Sequence, residues 1–152
     1  MGIRKKVWLW QAVWSAILLA GVPQAEAAGC SAEQASQVRI GQQAWRVQTA
    51  WRDVERERGL SGRASLAAGT GMWFVLPEDT LAGFWMQGMA FPIDLIWITP
   101  DLRVAGSLRL QPCGRGPCPV HRPGTPVRYV LEVNAGEFAG HRGDAVSWSC
   151  AP

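Results

Sequence analysis

The segment "VRYVLEV", residues 127–133, decides the fold class because its side chains alternate between apolar and polar. On an extended chain, one face carries the apolar residues Val127, Tyr129, Leu131 and Val133. The other face carries Arg128 and Glu132. A period of two residues is typical of a β-strand that places one face against a core.

Segments of the same kind lie on both sides of this strand. Short runs rich in β-branched and aromatic residues, bounded by Gly, Pro or Asp, predict further strands at 38–40, 44–50, 72–76, 93–99, 103–110 and 145–150. Helix signals are limited to capping-box spacing at 31–34 and a short helix at 53–58 that ends at Gly59. We therefore expect a mainly β fold with an α+β tendency: a small barrel-like or curled antiparallel sheet with one or two short helices.

The amino terminus predicts export. Three basic residues at 4–6 precede sixteen uncharged residues, and Ala25 and Ala27 then form a small-residue cleavage site. The uncharged run is shorter than the roughly 20 residues that a membrane-spanning helix needs. We expect a signal peptide at 1–27, a single domain at 28–152 in the periplasm or outside the cell, and no stable membrane insertion after cleavage. Lipidation of Cys30 is the alternative.

The charge of the mature chain excludes nucleic-acid binding. The whole sequence has 15 basic and 12 acidic residues, and the predicted leader removes three basic residues and one acidic residue. The mature domain therefore carries 12 basic and 11 acidic residues, without the clustered excess of positive charge that nucleic-acid binding requires.

The four cysteines predict two disulfides, because an even number of cysteines in an exported chain favours disulfides over thiolate metal sites. Cys113 and Cys118 are separated by a short turn rich in Gly and Pro, which favours their pairing and leaves Cys30 for Cys150. His121 then has no thiolate beside it to complete a zinc site. We expect no metal and no cofactor.

Asp94 is the most informative charged residue, since "FWMQGMAFPIDLIWI", residues 84–98, surrounds it with apolar side chains. A buried carboxylate is costly unless it is paired, so we expect a structural ion pair with Arg63 or Arg58. The alternative interpretation makes Asp94 an acid/base group or ligand anchor in a pocket walled by Phe84, Trp85 and Met86.

Several segments in order resemble the family DUF192. They are an arginine-rich turn at 55–63, Ser65-Leu66, Gly71-Met72, Phe84-Trp85-Met86 with Pro92 and Asp94, the Pro-Cys…Pro-Cys-Pro loop at 112–119, Tyr-Val-Leu-Glu at 129–132 and Gly143-Asp144. The resemblance covers about residues 37–148 and implies a compact β-rich domain, often exported, without an assigned reaction. The chain departs from the family pattern in two places: Gln87-Gly88-Met89 replaces Lys-Asn-Thr, and Ser61 replaces Met.

The functional expectation is an exported, non-enzymatic domain that binds a small ligand, a glycan or a cell-envelope partner near Trp85, Met86 and Asp94. The predicted binding residues are Phe84, Trp85, Met86, Pro92, Asp94 and Arg63. An exposed Trp51 or Trp85 would provide a ring for stacking. The alternative is an acid/base hydrolase that uses Asp94 with Glu132 or His121.

Overall fold

A computed structural model of the protein describes residues 30–114 and 116–151, so the predicted signal peptide lies outside the described residues. A single 3-10 turn spans Ala32–Gln34, and helix α1 spans Asp53–Arg58. Seven strands form one sheet: β1 Gln37–Ile40, β2 Gln43–Ala50, β3 Thr70–Thr80, β4 Ile93–Ile98, β5 Val104–Leu110, β6 Val127–Asn134 and β7 Val146–Ser149. The expectation of a mainly β fold with a curled sheet and one or two short helices is confirmed.

The strand order is β5-β4-β6-β3-β2-β1-β7. Five of the six strand pairings are antiparallel, and β2 pairs with β3 in parallel. A parallel pair needs a crossover connection, and residues 51–69, which include α1, provide it. The crossover places α1 and the chain after it over one face of the sheet.

The sheet curls so far that its two edges meet at one end. Arg103, just before β5, forms an antiparallel bridge with Ala145, just before β7. The backbone N–H of Val104 donates to the carbonyl oxygen of Asp144 at 3.0 Å, and the N–H of Gly143 donates to the carbonyl oxygen of Val104 at 2.8 Å. The result is a half-barrel with a concave inner face and a convex outer face.

The inner face holds one hydrophobic core. Its largest buried side chains are Trp45, Trp73, Ile96, Ile98 and Leu131. The ring of Trp73 stacks on Tyr129 with 5.1 Å between ring centroids. Bulky aromatic rings therefore fill an interior that short strands alone would leave underpacked.

The outer face holds a second core under the crossover and under residues 81–92. Leu60, Phe74, Leu95, Trp97 and Val130 are buried there. Because β3, β4 and β6 are covered on both faces, every residue of β4 is buried, which agrees with the burial expected around Asp94.

Two details of the strands differ from the sequence expectation. Strand β3 runs from Thr70 to Thr80, beyond the predicted 72–76. Val127 packs in the outer core and not beside Tyr129 on the inner face. The register of β3 against β6 shifts between Val75 and Thr80, and this irregularity turns the first residue of β6 to the other face.

Both predicted disulfides form. Cys30 is bonded to Cys150, with 6.0 Å between Cα atoms, and Cys113 is bonded to Cys118, with 5.3 Å between Cα atoms. The first joins the start of the described chain to the end of β7, and the second closes a turn of the loop between β5 and β6. Within residues 30–114 and 116–151, none of the helical segments has the length and apolarity to cross a membrane.

Candidate functional site

Asp94 is held in a structural ion pair, but its partner differs from the predicted one. The guanidinium Nε of Arg109 donates to Asp94 Oδ1 at 2.8 Å. Backbone N–H groups of Gly136 and Phe138 donate to Asp94 Oδ2 at 2.7 and 3.2 Å. These contacts satisfy both carboxylate oxygens and raise the pKa of Arg109 through its hydrogen bond to Asp94. The expectation that Arg63 or Arg58 pairs with Asp94 is wrong.

Register explains why Arg109 takes this place. Strands β4 and β5 form the predicted hairpin, and Asp94 lies opposite Arg109 in it. A shift between Trp97 and Ile98 changes the register next to the turn. This shift is a β-bulge, which the sequence does not reveal. Counting residues outward from the turn between β4 and β5 therefore does not place Asp94 opposite Arg109.

Arg63 and Arg58 lie elsewhere. Arg63 donates from Nη2 to Gln48 Oε1 at 2.5 Å and borders shallow depressions beside β2. Arg58, in the last turn of α1, borders a separate cleft on the outer face.

That cleft is the candidate functional site, and we call it the Glu132 cleft. It has a volume of about 230 Å³ and lies between the end of α1, the outer face of β3 and β6, and the segment at 81–92, which we call the Trp85 loop. Its lining residues are Arg56, Glu57, Arg58, Gly59, Ser61, Phe74, Leu76, Ala82, Gly83, Phe84, Trp85, Gln87, Met89 and Glu132. Most of the lining is apolar, as in sites for small ligands.

The Trp85 loop contributes an aromatic wall. The ring of Phe84 packs edge-on against Phe74, with centroids 5.7 Å apart, and Trp85 is 52% exposed. Phe84 also exchanges two backbone hydrogen bonds of 2.8 Å with His121. The wall is therefore attached to the loop that the Cys113–Cys118 disulfide closes.

Glu132 is the buried acidic residue of the cleft, whereas Glu57, which also lines it, is exposed. It lies on β6 between Met72 of β3 and Leu95 of β4, and its side chain projects from the outer face. Glu132 is only 7% exposed, and its carboxyl group has no hydrogen bond or ion pair with any residue in the described ranges. Burial raises the pKa of Glu132 to about 8. A carboxyl in this setting is largely protonated at neutral pH.

The structure divides the predicted binding residues among four places. Phe84 and Trp85 border the Glu132 cleft. Met86 is buried in the outer core, and Asp94 belongs to the inner face beside Pro92, whose carbonyl oxygen accepts a hydrogen bond from Ala135. Arg63 lies beside β2.

The predicted acid/base pair is not assembled. Asp94 and Glu132 lie on neighbouring strands, yet Asp94 is paired with Val133, and Glu132 with Leu95, so their side chains project from opposite faces. His121 is absent from the residues that line the cleft. Among the described residues, no group of three or more His, Cys, Asp or Glu side chains is placed to hold a metal ion.

Sequence reasoning missed the role of the crossover. The sequence places Arg56 and Arg58 in a short helix but does not bring that helix to Glu132, which it suggests only as a partner of Asp94. The available signal is Glu132 itself, an acidic residue that lies between Leu131 and Val133 in a largely apolar strand. The sequence does not show that residues 51–69 fold over that face.

Comparison with known proteins agrees with this architecture. A protein of unknown function from Novosphingobium aromaticivorans is 27% identical to the chain, with a TM-score of 0.65, covering 74% of this chain and 84% of its own. A protein described as a candidate transcription regulator from Sinorhizobium meliloti is 26% identical, with a TM-score of 0.66, covering 74% of this chain and 92% of its own. No protein of curated function matches significantly.

The sequence profile of DUF192, described as an uncharacterized ACR, matches residues 36–148. This range contains six complete strands, α1 and the whole Glu132 cleft. Since the match extends over well more than half of the sequence, the chain belongs to the DUF192 family.

Proposed function

We propose that this protein is an exported, non-enzymatic domain that binds a small ligand in the Glu132 cleft. The observation that carries the proposal is the Glu132 carboxyl group, buried and without a partner among the described residues, at a cleft with an aromatic wall. Apolar clefts with a few well-placed polar groups are typical of small-ligand sites. A carboxyl group without a partner is costly inside a protein, and a ligand that pairs with it would offset that cost.

The separation of Asp94 from Glu132 supports binding over an acid/base hydrolase that would use this pair. Asp94 projects from the other face, where Arg109 and two backbone N–H groups occupy it. A hydrolase that works through two carboxyl groups needs both on the same face. Asp94 and Glu132 do not meet this condition, because their side chains project from opposite faces of the sheet.

Export is supported by the two disulfides, because such bonds persist in oxidising compartments and are rare in the cytosol. Mass spectrometry of the mature protein tests this part of the proposal. We expect an amino terminus after Ala27 and four oxidised cysteines. Free thiols or an intact leader would contradict export.

Ligand-observed NMR with a library of small fragments tests the binding function. We expect fragment binders whose signal is lost in Trp85→Ala and kept in Trp51→Ala. Trp51 is a matched control because it is 48% exposed, close to the 52% of Trp85, and does not border the cleft. If no fragment binds, or if fragments bind Trp85→Ala as well as the wild type, the small-ligand proposal fails. A glycan or an envelope protein that binds another surface would then be the alternative.

A further inference from the structure

Residues 30–114 and 116–151 contain two buried carboxyl groups, and the fold supplies partners to one of them and none to the other. Asp94 has a guanidinium and two backbone N–H donors. Glu132 is buried to a similar degree, yet receives neither a cation nor a donor from the described residues. A buried acid of this kind either keeps its proton or takes a positive partner from outside the protein.

The arginines around the cleft do not supply that partner. Arg56 donates to Asp53 Oδ1, to the carbonyl oxygen of Trp51 and to that of Val75 at 3.3 Å. Arg58 and the acidic Glu57, which also line the cleft, are both exposed at the end of α1. Neither arginine forms an ion pair with Glu132, and burial is the sole cause of its raised pKa. Among the described residues, neither arginine that lines the cleft is therefore paired with the Glu132 carboxyl group.

The aromatic wall favours a positive ligand. Ring faces of Trp and Phe attract ammonium and guanidinium groups, and the attraction strengthens where water is excluded. Phe74, Phe84 and Trp85 border the same cleft as Glu132. A buried carboxylate together with aromatic rings is a suitable combination for an organic cation that has an apolar body.

Resting on the proposed binding function, we infer that the ligand of the Glu132 cleft is an amine cation. Its ammonium group pairs with the Glu132 carboxylate, and its apolar body packs against Phe84 and Trp85. Since Glu132 is protonated before binding, the carboxyl proton passes to solvent as the ion pair forms. Binding of one amine therefore releases about one proton at neutral pH.

Three probes with one phenyl ring and different charge test this inference: phenethylamine, 2-phenylethanol and phenylacetate. Isothermal titration calorimetry measures their affinities, and repetition in buffers of different ionisation enthalpy measures proton release. We expect the amine to bind at least about tenfold more tightly than the alcohol, with phenylacetate weakest. The amine affinity should rise by about tenfold per pH unit below pH 8 and level off above it.

Three variants complete the test. Glu132→Gln should remove the preference for the amine and its pH dependence, with folding checked by circular dichroism. Trp85→Ala should lower the affinities for the amine and for the alcohol by a similar factor, whereas Trp51→Ala should change neither affinity.

The outcomes separate this inference from the proposed function. If the alcohol binds as tightly as the amine, or if affinity falls as pH rises, protonated Glu132 donates to a neutral acceptor and the amine inference is overturned. In that case the cleft still binds a small ligand. If none of the three probes binds and the fragment library also yields no Trp85-dependent binder, both proposals fail.

Discussion

Two acidic residues of the same sheet illustrate how strongly surroundings determine the role of a side chain. Asp94 and Glu132 are each less than one tenth exposed, at 4% and 7%. Asp94 accepts four hydrogen bonds, two from Arg109 and one each from the backbone N–H groups of Gly136 and Phe138. These bonds tie β4, β5 and the turn after β6 together. Glu132 contributes no such bond and opens onto a cleft. The first residue stabilises the fold, and the second has no partner among the described residues.

Replacing Asp94 should therefore destabilise the protein. Asp94→Ala removes the acceptor of the Gly136 and Phe138 N–H groups, so the free energy of unfolding should fall by about 3 kcal/mol. Most of this loss comes from the unpaired N–H groups, since Arg109 is 56% exposed and can be solvated. Urea unfolding followed by fluorescence measures the change.

Asp79→Ala is the matched control for Asp94→Ala. Asp79 pairs with Arg128 at 3.3 Å, and both side chains are exposed to solvent. Its removal should cost less than about 1 kcal/mol. Equal losses in the two variants would show that Asp94 is not the structural ion pair described above.

Glu132 should make stability depend on pH in an unusual direction. Its pKa is about 8 in the folded protein and 4.5 for an unperturbed glutamate, so between these values the folded state holds a proton that the unfolded state has lost. The contribution of Glu132 to stability is thus fully present below about pH 4.5 and falls by up to about 1.4 kcal/mol per pH unit until about pH 8.

Urea unfolding of the wild type and Glu132→Gln between about pH 5 and pH 9 checks this expectation. Glutamine cannot ionise, so the variant should become more stable relative to the wild type as pH rises. A constant difference across this range would mean that Glu132 is solvated and its pKa ordinary.

At the scale of elements, the Trp85 loop depends on a neighbouring loop for its position. Two backbone hydrogen bonds join Phe84 to His121, and the side chain of Cys113 packs against the same outer core. The Cys113–Cys118 disulfide restricts the loop that contains His121. This bond therefore acts on the wall of the cleft as well as on its own turn.

The double variant Cys113→Ser/Cys118→Ser should loosen the cleft wall. Hydrogen exchange measured by NMR should be faster at the amides of Phe84 and His121, whereas amides of β1 and β7 should keep their protection. The loss of unfolding free energy should be about 2 kcal/mol, because the closed loop is short. Unchanged exchange at Phe84 would show that the bridge to His121 holds without the disulfide.

At the scale of the whole molecule, closure of the half-barrel joins distant parts of the chain. The Cys30–Cys150 bond closes a sequence separation of 120 residues. Beside it, the backbone N–H of Ser36 donates to the carbonyl oxygen of Ser149 at 2.9 Å, and Trp148 Nε1 donates to that of Cys30 at 3.3 Å. The amino-terminal turn, β1 and β7 are thereby held as one unit.

Cys30→Ser/Cys150→Ser should accordingly cost more stability than the other disulfide variant. The loss from loop-closure entropy is about 5 kcal/mol, against about 2 kcal/mol for the short loop. Denaturant unfolding of both double variants under the same conditions measures which one loses more unfolding free energy. A larger loss from the short loop would mean that packing of Cys113 outweighs chain entropy.

Local chemistry in the sequence by itself determined the strands, the short helix ending at Gly59 and the pairing of the cysteines. Strand alternation, a helix-terminating glycine and a turn of four residues between two cysteines act over a few residues, so reading along the chain reveals them. The burial of Asp94 was equally visible because apolar residues flank it on both sides.

Only the tertiary structure decided what those elements do together. Alternation in "VRYVLEV" distinguishes two faces of a strand but cannot say whether the polar face meets water or a second core. The parallel pairing of β2 with β3 requires residues 51–69 to cross over that face, where they cover Glu132. A register shift between β4 and β5 places Asp94 opposite Arg109. Both outcomes depend on strand order and register, which arise from contacts between residues far apart in the chain.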